Sequence, residues 1–308
     1  MTDPLDTVDT ADGASPAGTA IPAGTEGAAE VAPGYRPART LPFRVEAVRQ
    51  LLRRRTLVAL AVVLGLPVVV WAAFAIGGTP SGRDSVPTMI DVATASGVNF
   101  ALAVLFVSSG FLVTIPVALF FGDTIASEAS WSSLRYLLAA PVPRARLLTS
   151  KVLVSLVFSA VAVLALPAVS LGVGTLAYGW HDMELTSAGS LPPGTAAGRL
   201  AIAALYVFAC QLAVAGFAFW LSTVTDAPLG AVGGAVGVAI LSNILDAITA
   251  LGSLRSVLPT HWQYAWFDAL QPRLEWAGML KGVSVSVSFA VVFLALAYRG
   301  FRGKDVVS

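Results

Sequence analysis

Six stretches of this chain are apolar enough and long enough to cross the hydrocarbon core of a bilayer as helices, which takes about 20 residues. They run Leu57–Ile76, Phe100–Phe121, Val152–Tyr178, Leu200–Val224, Leu229–Leu251 and Gly278–Tyr298. The formally charged side chains within them are Asp246 and Lys281, each near the end of its run. A charge is tolerated there and costly at the bilayer centre. Of the 308 residues 12% are charged and 56% hydrophobic, against about 25% charged in soluble globular chains. That balance excludes an ordinary soluble enzyme, a disordered protein and a nucleic-acid binder with a basic surface. The expected fold is an all-α membrane protein with six transmembrane helices.

An even number of spans puts both termini on one side, and the basic residues say which. Arg36, Arg39, Arg44, Arg49, Arg53, Arg54 and Arg55 precede the first span. Arg135, Arg144, Arg146 and Lys151 lie between the second and third, and Arg299, Arg302 and Lys304 follow the last. The alternate segments hold only Arg83, Arg199, Arg255, Arg273 and Lys281. The positive-inside rule then makes both termini cytoplasmic in a multi-pass protein of the plasma (inner) membrane. Trp71, Trp180, Trp262, Trp266 and Trp276 fall at the outer face, where aromatic rings favour the headgroup zone.

The remaining segments sort by composition. Residues 1–40 are an acidic Ala/Thr/Gly/Pro tail, read as disordered because it has too little apolar area to offset the entropy of ordering. Residues 41–56 form an amphipathic inner-surface helix: Leu41, Val45, Val48 and Leu52 recur at helical spacing, while Glu46, Arg49, Arg53 and Arg54 point away. The six-span membrane domain covers 57–304, and 305–308 is a short tail. Between spans five and six, Ser253–Trp276 reads as an outer interfacial helix or re-entrant piece.

The loop Gly122–Lys151 is the most informative stretch. Glu128 and Arg135 stand seven apart on one helical face, and Leu134, Leu137 and Leu138 make an apolar ridge. Pro141 and Pro143 stop that helix and let another start at Pro143 or Arg144. A charged helix–break–helix held between two spans suits docking of a cytoplasmic partner, though a solvated loop with topology charges has the same pattern.

In this loop the sequence resembles the membrane-spanning permease subunit of type-2 ABC exporters. That family has a glutamate shortly after span two, then Gly-Thr, a leucine-rich helix, Pro-Val-x-Arg and a lysine entering span three. Here Glu128, Leu134–Leu138, Pro141-Val142-Pro143-Arg144 and Lys151 match, and Ser132-Ser133 stands where Gly-Thr is usual. The resemblance covers roughly Pro42 to Lys304. It implies a permease that forms the translocation path and couples to a separate cytoplasmic ABC ATPase subunit. The coupling loop would use Glu128, Leu134, Arg135, Leu138, Pro141, Arg144 and Lys151. It further implies a homodimer or heterodimer of permeases, with ATP-Mg used by the partner subunit and no cofactor bound by this chain.

The sequence agrees with a non-enzymatic role. A nucleotide-hydrolysing chain needs a Gly-rich phosphate loop, and Gly303-Lys304-Asp305 lacks that spacing. His181 and His261 are far apart in sequence, and no catalytic or metal motif surrounds them. Gly230 and Gly234, and Gly233 and Gly237, are spaced for close helix packing, within a subunit or across a dimer. Pro67, Pro116 and Pro167 fall inside spans and are candidate kinks. Ser108, Ser109, Gln211, Asn243 and Asp246 are the polar side chains that could line a translocation path or simply hydrogen-bond between helices. The alternatives to a permease are a gradient-driven secondary transporter and a non-transporting membrane assembly or immunity protein. Surrounding lipid is a partner in every reading, and nucleic acid in none.

Overall fold

The computed structural model describes residues 43–78, 88–130, 143–186, 189–271 and 273–302, all within the compact unit Pro37–Ser308. About 81% of these residues are helical. In chain order the elements are α1 (Phe43–Leu51), α2 (Arg54–Gly77), α3 (Gly97–Ser109), α4 (Thr114–Ser130) and α5 (Arg144–Tyr178). A two-stranded hairpin follows, β1 (Met183–Glu184) and β2 (Ser190–Leu191), then α6 (Pro193–Val224) and α7 (Pro228–Ala247). Two 3-10 helices, Thr249–Val257 and Ala265–Leu270, lead to α8 (Ala277–Arg302). The acidic tail 1–40 and most of the leucine-rich loop, including Leu134, Arg135, Leu138 and Pro141, lie outside the described residues.

Five helices, α2, α5, α6, α7 and α8, are long and apolar enough to cross a membrane, and α3 with α4 make a sixth span if taken as one bent pair. This is the architecture of a multi-pass membrane protein. The run Phe100–Phe121, expected as one continuous helix, is instead two helices meeting at 50°. The break falls at Gly110–Val113 rather than at Pro116. Ser108 and Ser109 turn their hydroxyls back onto the carbonyls of Val104 and Phe106, and the Val113 N–H reaches the Ser108 carbonyl, one residue beyond the α-helical register. Pro116 sits in the first turn of α4, where its missing N–H leaves no bond unmade. Apolarity carries no information about such a break, which is why the run reads as continuous.

The hub is α6, which touches α3, α4, α5, α7 and α8. In lipid no hydrophobic effect drives helices together, so close packing of small residues does. Gly216 of α6 lies so near α8 that a methyl group on it would come within 2.8 Å of the Ala290 backbone. Gly97 of α3 is seated on Thr175 of α5 in the same way. By contrast α2 is peripheral: 11% of its most apolar window is buried, against 56% for α6.

Of the glycines singled out in α7, only Gly234 lies close against a neighbouring helix among the described residues. Gly233 and Gly237 face open space, Gly230 has only Ala227 and Thr225 nearby, and Gly234 rests against the Leu221 side chain. The inward stripe of α7 is Ala231, Ala235 and Ala239, at the same four-residue spacing. At the hairpin end, Asn99 of α3 exchanges two hydrogen bonds with the Glu184 backbone (2.8 and 3.0 Å), which fixes β1 against the bundle. In the segment after α7, Thr249–Val257 holds no buried residue, whereas the second 3-10 helix packs into the bundle. Its Trp266 is fully buried and stacks on Phe267.

Candidate functional site

Charge gathers at one end of the bundle, where α1, the start of α2, the end of α4 and the start of α5 meet. Residue Lys151 follows Arg144, the first residue of α5, by two turns, and its ammonium points into protein rather than toward solvent. It donates to Glu128 Oε1 of α4 at 2.6 Å and to Glu46 Oε1 of α1 at 3.0 Å. The side chains of Lys151 and Glu128 are each 2% exposed. Arg49 of α1 reaches the same Glu128 oxygen at 3.3 Å. One turn earlier on α4, Asp123 accepts from Arg53 at 3.0 Å and from Arg55 at 2.7 Å, and Arg53 also donates to the Ser127 hydroxyl.

This arrangement covers the polar face of α1 with protein. Glu46 and Gln50 are the buried residues of the helix, while Phe43, Val45, Val48, Leu51 and Leu52 are exposed. The polar face turns inward because its partners, Lys151 and Glu128, are there, and the apolar face is left for lipid. Burial pushes the Glu46 carboxyl up, but Lys151, with help from Arg49 and Arg53, outweighs it and holds the group below its ordinary value.

Of the coupling-loop residues, Glu128 and Lys151 are thus buried, as the core of an ionic clamp. Arg144 stays at the surface and donates to the Arg302 carbonyl at 2.8 Å. Thr149 and Tyr298 share a hydrogen bond nearby. Through these contacts the first and last described helices gather at the same end of the bundle.

Just inside the clamp, α4 is stitched to its neighbours through its own backbone. Ser222 of α6 accepts from the N–H groups of Ile125 and Ala126, at 2.9 and 3.0 Å. The Phe120 carbonyl accepts from the hydroxyls of Thr124 and Ser155. A side chain inserted into a helical ladder marks a place where the helix bends easily. Sequence reasoning missed Ser222 and Ser155. Serines in apolar helices are common, and only the neighbouring helix shows where such a hydroxyl is used.

The second polar locus is the α3–α4 break. A cavity of about 30 Å³ there is lined by residues including Gly110, Thr114, Gln211, Asn243 and Gln263, roomy enough for about one water. Thr114 bonds Gln211 at 3.3 Å, and Gln263 donates to Asn243 at 2.8 Å. Two of the path candidates, Gln211 and Asn243, therefore meet at one cavity. Ser108 and Ser109 do not join them there, since their hydroxyls are spent on their own helix. Asp246 lies apart, toward the far end of α7, bound by His261 at 2.6 Å and Arg255 at 3.3 Å.

A comparison with curated proteins gives no match. Residues 86–307 match the model of a family described as "Protein of unknown function (DUF2705)", which takes in the bundle from before α3 to the end of α8, and the chain belongs to that family.

Proposed function

We propose that this chain is the permease subunit of an ATP-driven ABC exporter of the plasma membrane, with cytoplasmic termini. It forms the translocation path and couples to a separate ATPase through residues 131–142. The observation that carries this reading is the ionic clamp. Glu128 and Lys151 close the two helices that flank that segment, and Arg49 and Glu46 tie them to α1. A force applied to the segment by a partner is passed to α4 and α5 at a point locked by charge and then to the turn of α4 at Ile125–Ala126 that Ser222 holds. Alternating access needs an element with two stable arrangements, and the break between α3 and α4 is where this reading puts it. The chain itself contributes no hydrolytic chemistry, and two copies, or one copy and a close relative, complete the path.

A gradient-driven transporter is the second reading, favoured by the broken span and the Gln211–Asn243 cavity, since discontinuous helices shape binding sites in that class.

Affinity purification of the chain in mild detergent separates the two. The permease reading expects a stoichiometric soluble ATPase, lost on deletion of residues 131–142 while membrane insertion persists. A preparation without ATPase, from cells that express the neighbouring genes, followed by ion-dependent flux in liposomes, would replace it with the second reading.

A further inference from the structure

We propose that the groove between α2 and the α3–α4 bend is a binding site for one anionic phospholipid. The inference rests on the membrane placement of the chain and is independent of what the bundle transports. Among the described residues, the ion pairs that fasten the start of α2 to α4 are those of Arg53, just before the helix, and Arg55 with Asp123. Beyond that fastening the two separate, leaving a groove of about 490 Å³ walled by apolar side chains, among them Val58, Val62, Ile115, Pro116 and Leu119.

Arg54 stands at its mouth, exposed and without an ion-pair partner among the described residues. A guanidinium is matched in shape and charge to a phosphate. The wall that α2 contributes runs from Arg54 to Val63. At the helical rise this spans about 14 Å, close to half of the roughly 30 Å hydrocarbon core. One acyl chain of one leaflet fits that length, with its headgroup phosphate brought level with Arg54. A neighbouring protein helix would need no cation at one end of the groove, whereas an anionic lipid does.

The test is lipid retention. Full-length protein is reconstituted in nanodiscs of equal phosphatidylglycerol and phosphatidylcholine, extracted in mild detergent, and its bound lipid counted by native mass spectrometry. The expected result is one retained phosphatidylglycerol per chain, preferred over phosphatidylcholine by about fivefold, the weight of one arginine near an anionic surface. Arg54→Gln should abolish the preference, and Val62→Trp should fill the groove and shed both lipids. Both positions are exposed, at Val62 to 60%, so both variants should keep the wild-type elution volume and melting temperature. If Val62→Trp does not, Ile115→Trp blocks the groove from the α4 side. Unchanged retention in the Arg54 variant and the folded groove-filled variant would overturn the proposal. So would efficient disulfide cross-linking of Val62→Cys between chains, which would give the groove to a second copy.

Discussion

Lys151 of α5 and Glu128 of α4 form a 2.6 Å ion pair with both side chains withdrawn from solvent. Two opposite charges buried at this depth are individually costly, and their attraction with added hydrogen bonds offsets that cost. The pair therefore fixes where the two helices meet more than it adds net stability.

Removing one partner should then be far worse than removing both. Lys151→Met leaves Glu128 with its nearest buried cation gone, and a loss of about 3–5 kcal/mol is expected. Adding Glu128→Leu to it should recover a large part of that loss. Thermal unfolding of the purified chain in detergent gives both values, and a double variant as unstable as the single would refute the clamp.

Glu46 should make the clamp sensitive to acid. Its carboxyl is held below the ordinary value of 4.5, so its contribution is fully present above that pH. It is lost as pH falls through the lowered folded value. Melting temperatures followed downward from neutral pH should converge for wild type and Glu46→Gln only below 4.5. A gap that stays constant through that range would contradict the role given to Glu46.

Two glycines in neighbouring helices should behave in opposite ways. Gly216→Ala puts a methyl group against the Ala290 backbone of α8 and should cost about 1–3 kcal/mol through overpacking. Gly233→Ala meets nothing and should be neutral or slightly stabilising, as helix propensity favours alanine. Equal melting temperatures would show that the α6–α8 approach is looser than described.

The outward face of α7 tests the proposed pairing of permeases. In a background where the buried Cys210 is replaced by alanine, Gly237→Cys should cross-link between chains in membranes. Ala235→Cys, whose position is 1% exposed, should not. Failure at Gly237 and at the neighbouring Val238, 46% exposed, would remove α7 as the contact between copies.

The class of molecule was legible in the amino-acid order. The six apolar runs define long helices because unpaired backbone polar groups are not tolerated in hydrocarbon, and α2, α5, α6, α7 and α8 begin or end within a few residues of them in most cases. The start of α5 at Arg144 was legible too, since Pro143 cannot extend a preceding helix. The amphipathic spacing of α1 was legible, but not that protein covers its polar face.

Tertiary structure alone decided that, because Glu46 turns inward only when Lys151 and Glu128 from two distant segments wait there. It likewise buried Glu128 and Lys151 as a pair, broke the second span at Gly110 rather than Pro116, and chose alanines over glycines for the inner face of α7. Each of these depends on what a neighbouring helix presents. In an apolar chain that information is carried by single hydroxyls, charges and missing methyl groups, too sparse to form a pattern along the sequence.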